Sequence, residues 1–200
     1  LGYESMELSS ILEYAAIGLA IAYVILAAKE SIWCWYPAFV SSGIYVYLTY
    51  SASLIGESFI SVFYVVMAVY GWWQWKFGNR KDGKLNIAEW HTTHHVRAIL
   101  LGFVFAGALG KGFELIFDSA MPYLDAFTTS FSLIATFMVT RKILSNWIYW
   151  IVIDAFNIYL YWSRGLEPTA GLYAVYTILA LVGFISWYKE WKVERRFLHA

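Results

Sequence analysis

Charge is what this sequence has least of. Charged side chains make up 14% of 200 residues, 14 basic against 14 acidic, so the formal net charge is zero. A soluble domain carries about 25% charged residues, and a chain this poor in charge cannot present a polar surface on every side. Zero net charge also removes the basic footprint of a nucleic-acid binder. Cysteine is nearly absent: Cys34 has no partner for an intrachain disulfide and says nothing about compartment. A cleavable signal is not evident, because Glu4, Glu7 and Glu13 stand where a basic n-region would be. Three catalytic fingerprints are missing as well: the phosphate-binding G-x-x-x-x-G-K-[ST], the dinucleotide glycine motif and the nucleophile elbow. The expectation is a chain that hydrolyses no ATP, needs no cofactor and is not an enzyme.

What fills the space is apolar. Hydrophobic residues make up 60% of the chain, and the mean hydropathy is +0.57. The few charges cluster, leaving apolar stretches near the roughly 20 residues that cross a bilayer as a helix. Seven helical spans are expected, at 11–28, 32–50, 55–76, 96–117, 122–140, 146–163 and 168–189. These runs are too long for the roughly ten-residue alternation of a membrane barrel. The fold class is therefore an all-α integral membrane protein. Basic residues give the orientation. With the N-terminus outside, the inner side collects Lys29, Lys76, Arg80, Lys81, Lys84, Arg97, Arg141, Lys142, Lys189, Lys192, Arg195 and Arg196; the outer side gets Lys111 and Arg164.

Shifting the chain along itself by 112 positions brings two halves into register. Leu12 meets Leu124, Trp35 meets Trp147, and Tyr47-Leu48 meets Tyr159-Leu160. Leu54 meets Leu166, Tyr64 meets Tyr176, Ala68 meets Ala180, Gly71 meets Gly183 and Trp75 meets Trp187. Charge follows, with Glu13 on Asp125 and Lys29 on Arg141. The shift carries spans 1–3 onto 5–7 across an even number of spans, so the halves share one orientation. The expected division is a first bundle with an inner loop over 1–95, an inverting linker helix at 96–117, and a second bundle with a tail over 118–200. This 3+1+3 parallel repeat is similar to that of the SWEET sugar transporters.

Span 6 carries the most informative face. Trp147, Trp150, Asp154, Asn157 and Tyr161 follow one another at i, i+3, i+7, i+10 and i+14, one side of a helix. Asp154 lies eight residues from the inner end of the span, or about 12 Å. A carboxylate at that depth costs at least about 2.5–3.5 kcal/mol, so it faces protein or water. Two roles are open to it: locking helices together, or meeting a ligand. The positions paired with this face in span 2 are Trp35, Ala38, Ser42, Tyr45 and Thr49, with hydroxyls but no carboxylate. Span 7 adds Tyr173, Tyr176 and Gly183; span 3 adds Ser61, Tyr64, Ala68 and Gly71, the glycines being expected in close helix packing.

Aromatic residues are 20% of the chain, with 11 Trp and 16 Tyr. Trp72, Trp73, Trp75, Trp187 and Trp191 are expected as interfacial anchors, whereas Trp150, Tyr45 and Tyr176 lie mid-span. Rings around a carboxylate match a flat organic cation, each offering about 0.5–2 kcal/mol of cation–π attraction. The expected substrate-binding residues are Trp147, Trp150, Asp154, Asn157, Tyr176, Tyr45, Ser42 and Tyr173. Thr128, Thr129, Ser132 and Thr136 of span 5 are expected to bond carbonyls of their own helix. Asp125 and Glu13, at outer span starts, are read as helix caps. His91, His94 and His95 form an HxxHH pattern seen in di-iron membrane desaturases, but His199 is the one further histidine, too few for two irons. A solvated inner loop is expected there, and no resident metal.

Several of these segments resemble the PnuC vitamin transporters. The likeness runs through Tyr70-Gly71-Trp72-Trp73-Gln74-Trp75, then Thr140-Arg141-Lys142 and Asn146-Trp147-Ile148-Tyr149-Trp150, then 169–173 and 183–187, and covers about 11–191. The resemblance implies a SWEET-like fold, a homotrimer in the inner membrane of a bacterium, and uptake of nicotinamide riboside by facilitated diffusion with metabolic trapping. Some members carry Asn where this chain has Asp154, and relatives carry thiamine, riboflavin or deoxynucleosides. Nicotinamide riboside and thiamine are both flat aromatic cations. A membrane sensor that binds the vitamin without moving it is the expectation from another class.

Overall fold

Helix propensity and long apolar runs leave little room for anything but helices, and a computed structural model of the chain shows seven among its described residues. Described are the backbone at 2–51, 55–78, 85–116 and 121–198, and side chains at 8–51, 57–78, 85–116 and 121–196. Leu54, Arg80, Lys81, Lys84 and His199, the side chains of Glu4 and Glu7, and the end of the fourth expected span lie outside the described residues.

The helices are α1 (Gly2–Ala28), α2 (Trp35–Ser51), α3 (Ile55–Phe77), α4 (Thr92–Ile116), α5 (Pro122–Thr140), α6 (Asn146–Ser163) and α7 (Glu167–Leu198), with a 3-10 turn at Ile32–Cys34 ahead of α2. Spans two, three, five and six match their helices within a few residues. Spans one and seven are corrected outward: α1 begins at Gly2 and α7 runs to Leu198. Charge ends a membrane span but does not end a helix. Beyond Lys189 the helix stays favourable because Lys192 lies over the Tyr188 ring at 4.6 Å and Arg195 over Trp191 at 4.8 Å.

Leu8–Ala28, Thr92–Ile116 and Glu167–Arg196 are long and apolar enough to cross a membrane by length and composition. Their outer faces carry large exposed side chains such as Leu100, Leu101, Val104, Ile178 and Val182. Contiguous apolar surface of that kind needs lipid or protein against it. The chain is a helical membrane protein.

Two compact units make up the chain, Leu1–Leu85 and Asn86–Ala200. In the first, α2 packs against both α1 and α3. Ser41 Oγ donates to the Ala16 carbonyl at 2.9 Å, tying α2 to α1, and Thr49 Oγ1 meets Ser58 Oγ at 2.9 Å, tying it to α3. Trp35 lies against Gly71, where a Cβ would collide with its ring, and stands edge-on to Trp75 at 5.3 Å and 87°. An apolar groove of about 370 Å³ opens between α2 and α3, lined by Trp35, Phe39, Val40, Ala68, Val69 and Trp72 among others. Its walls offer almost no polar group to orient a polar ligand.

In the second unit α5 packs against α4 and α6, and α6 against α7. Ser130 Oγ donates to the Gly102 carbonyl at 2.8 Å, where glycine lets the Phe131 ring approach. Trp147 lies against Gly183, where a Cβ would fall 2.7 Å from its ring, and stands edge-on to Trp187 at 5.4 Å and 88°. Both glycines therefore serve close packing. Trp75 and Trp187 are buried, which corrects their reading as interfacial anchors; each is taken up by a second indole. Trp73 is exposed, as an anchor requires.

Two turns share an uncommon backbone. Glu30 (φ 54°) and Lys142 (φ 51°) are left-handed residues closing α1 and α5. At the first, Glu30 N–H bonds Ala27 O at 2.9 Å and Ser31 N–H bonds Leu26 O at 3.0 Å; at the second, Lys142 N–H bonds Val139 O at 3.0 Å and Ile143 N–H bonds Met138 O at 2.9 Å. Each is a Schellman closure, normally completed by glycine.

Candidate functional site

Helix α6 is clamped at both ends. At its start the fully buried Asn146 donates from Nδ2 to Ile143 O at 2.7 Å, while its Oδ1 has no partner among the described residues. At its end Gly165, with φ +71°, closes a further Schellman turn through Gly165 N–H to Trp162 O at 3.0 Å and Leu166 N–H to Tyr161 O at 2.9 Å. Between them the helix keeps the 3.6-residue period, and its inward face is the expected stripe. Trp147, Asp154 and Asn157 are buried; Trp150 and Tyr161 are half-buried.

The stripe changes character along its length. Trp147 is consumed by packing on Gly183 and Trp187. Trp150, with Tyr149, Phe127 and Ile134, packs around the buried core of Phe131, Ala135 and Ile153. Asp154 follows, 3% exposed, and then Asn157, 7% exposed. Neither side chain makes a hydrogen bond or ion pair with another described residue. No described residue of its own unit claims the Asp154 carboxylate, and its oxygens are not sealed away as Asn146 Oδ1 is. Beyond Asn157 the face turns aromatic. Tyr161 stacks on Tyr173 at 5.3 Å and 13°, and Tyr173 meets Tyr176 edge-on at 5.9 Å and 72°. One unit thus holds Trp147, Trp150, Asp154, Asn157, Tyr173 and Tyr176. Ser42 and Tyr45 stand half-buried on α2 in the other unit.

Two of the four α5 hydroxyls expected to bond their own helix, those of Thr128 and Thr136, do so. Thr128 Oγ1 donates to Asp125 O at 3.0 Å and Thr136 Oγ1 to Ser132 O at 2.8 Å. Asp125 sits in the first turn of α5, whereas Glu13 lies well inside α1 and caps no helix start; the Asp125 carboxylate is also paired, Arg164 Nη2 donating to Oδ2 at 2.6 Å. That pair joins the start of α5 to the end of α6.

The histidine motif needs a correction. It is not a free loop, because α4 begins at Thr92 and takes in His94 and His95. His91 and His94 are exposed, while His95 Nδ1 lies 3.1 Å from Tyr149 Oη and its Nε2 lies 3.0 Å from Glu89 Oε1. Glu89 was not singled out in the sequence; only its place six residues before a flagged histidine could have drawn notice. No metal-ligating group of three or more such residues occurs among the described residues.

Residues 10–189 match a family described as nicotinamide mononucleotide transporter. The riboflavin/roseoflavin transporter RibM of Streptomyces davaonensis is 26% identical over 183 residues, covering 89% of this chain and 83% of its own length. The nicotinamide riboside transporter PnuC of Escherichia coli is 21% identical over 187 residues, covering 81% and 78%. Its namesake from Neisseria mucosa is 26% identical over 186 residues, covering 84% and 68%. A solved structure, that of the vitamin B3 transporter PnuC, superposes with a TM-score of 0.73 at 22% identity, over 92% of this chain and 83% of that one.

Proposed function

The chain belongs to the nicotinamide mononucleotide transporter family, transporters rather than enzymes, and we propose that it carries a flat aromatic cation of the vitamin class, nicotinamide riboside first. The observation that carries the substrate class is Asp154: a buried carboxylate on the inward face of α6, with no partner among the described residues. A cation stacked against aromatic rings supplies the missing charge, and each ring adds about 0.5–2 kcal/mol. Asn157 is placed to hydrogen-bond a sugar or amide. Trp150, Tyr173 and Tyr176 offer ring faces, and Trp147 holds the inner end of the same face. Thiamine shares the flat cationic ring and is the alternative within this reading. The likeness to RibM favours riboflavin, a neutral ring system for which Asp154 would have no charge to meet.

The proposed architecture is a duplicated three-helix bundle with α4 as linker, 3+1+3, in which Ser42 and Tyr45 occupy the positions paired with Asp154 and Asn157. Its support is local: Trp35–Gly71–Trp75 and Trp147–Gly183–Trp187 repeat one packing motif, and Glu30 and Lys142 repeat one turn. The placement proposed is a bacterial inner membrane, N-terminus outside, as a homotrimer. The movement proposed is facilitated diffusion with trapping inside. Uptake of labelled nicotinamide riboside into proteoliposomes tests the reading. Flux above empty vesicles, competed by thiamine more than by riboflavin, is expected. Binding without flux would favour a sensor, and preference for riboflavin would overturn the cationic substrate.

A further inference from the structure

His95 takes no part in the substrate face, yet it sits in a polar cluster drawn from separate stretches of the second unit. Glu89 comes from the strap ahead of α4, His95 from the first turns of α4, Ser145 from the residue preceding α6, and Tyr149 from the first turn of α6. Glu89 Oε2 accepts from Ser145 N–H at 3.0 Å, and Oε1 accepts from Ser145 Oγ at 2.6 Å. His95 Nε2 lies 3.0 Å from Glu89 Oε1 and 3.3 Å from Ser145 Oγ; its Nδ1 lies 3.1 Å from Tyr149 Oη.

Backbone bonds seat the strap on either side. Ala88 N–H bonds Lys142 O at 3.0 Å, Leu144 N–H bonds Ala88 O at 2.8 Å, and Ile87 N–H bonds the Glu194 carboxylate of α7 at 3.2 Å. The strap thus touches the α5–α6 turn, the start of α6 and the tail of α7. A carboxylate at the N-terminus of a helix is favoured by the helix dipole, and charge-assisted bonds are the stronger ones. The far end of the cluster is anchored too, since the Tyr149 ring packs on the core of Phe131, Ala135 and Ile153.

Every bond to α6 in this cluster falls at its first turn, five residues before Asp154. A small rotation of α6 about its axis redirects the whole stripe, and binding groups must be held within about 0.5 Å to function. We propose that Glu89, His95 and Tyr149 form a positioning clasp that fixes the rotation of α6 and so aims Asp154 at the cation. The proposal rests on the substrate reading above, and its members touch α6 rather than the ligand.

A double-mutant cycle on the full-length protein decides it. Tyr149→Phe removes one hydroxyl and keeps the ring in its core; His95→Ala removes the link to Glu89. Titrated with nicotinamide riboside, each variant is expected to raise Kd about three- to ten-fold, with Tyr149→Phe melting as the wild type does. The double variant is expected to lose no more than the weaker single, because both break one chain of contacts. An unchanged Kd in Tyr149→Phe, or losses that multiply, would overturn the clasp. If the wild type binds no aromatic cation, the substrate reading fails instead. Hydrogen exchange then decides: faster exchange at the Ser145 amide in both variants upholds the clasp, and unchanged exchange overturns it.

Discussion

Glu30 and Lys142 stand 112 residues apart and adopt the same left-handed backbone, each closing a helix through the same two hydrogen bonds. A non-glycine residue there carries a steric cost of about 1–2 kcal/mol, which the neighbouring closure bonds sustain. Glycine would relieve it. Glu30→Gly is expected to stabilise the protein by up to about 1 kcal/mol, read as a higher melting temperature in detergent. A lower one would show that the Glu30 side chain outweighs the strain.

Trp147 makes the opposite demand on Gly183. Because a Cβ there would fall 2.7 Å from the indole, Gly183→Val is expected to destabilise by about 1–3 kcal/mol through overpacking. Gly107, with nothing within 4 Å of its would-be Cβ, is the control. Gly107→Ala should be neutral or slightly stabilising by helix propensity. Thermal unfolding of the two variants side by side checks the contrast.

Ser130 ties α5 to α4 through the Gly102 carbonyl. Interhelical hydrogen bonds within membranes average about 0.6 kcal/mol, with a maximum near 1.7. Ser130→Ala is expected to cost that much in unfolding measurements while leaving ligand affinity unchanged. A loss of affinity would place this tie within the binding apparatus.

Arg164 and Asp125 meet at 2.6 Å with about a quarter of each side chain exposed. Solvent screening keeps such pairs to about 0–1 kcal/mol. Arg164→Ala should therefore lower the melting temperature only slightly, and the exchange Asp125→Arg with Arg164→Asp should recover part of the loss. Full loss in the exchanged variant would deny the pairing a role of its own.

The inward face of α6 was legible from sequence because helical spacing and a mid-span carboxylate are both local signals. Trp147 shows where that legibility stops. Its place on the stripe followed from spacing, but its absorption by Gly183 and Trp187 depends on α7. Trp75 and Trp187 looked like boundary anchors because tryptophan near a charge cluster often is one; their pairing with Trp35 and Trp147 is tertiary. The extension of α7 past Lys189 was hidden because basic residues mark the edge of lipid and not the end of a helix. His95 was visible as a motif, yet its bond to Tyr149 joins residues 54 apart, beyond any local pattern.

In the proposed reading, Asp154 supplies the charge that binds the substrate. Calorimetric titration of nicotinamide riboside into the wild type and into Asp154→Asn, which keeps the shape and removes the charge, tests it most directly. Loss of a buried charge partner costs about 2–5 kcal/mol, so the variant should bind about thirty-fold more weakly or worse while melting no lower than the wild type. Equal affinity in a folded Asp154→Asn protein would deny the carboxylate that role.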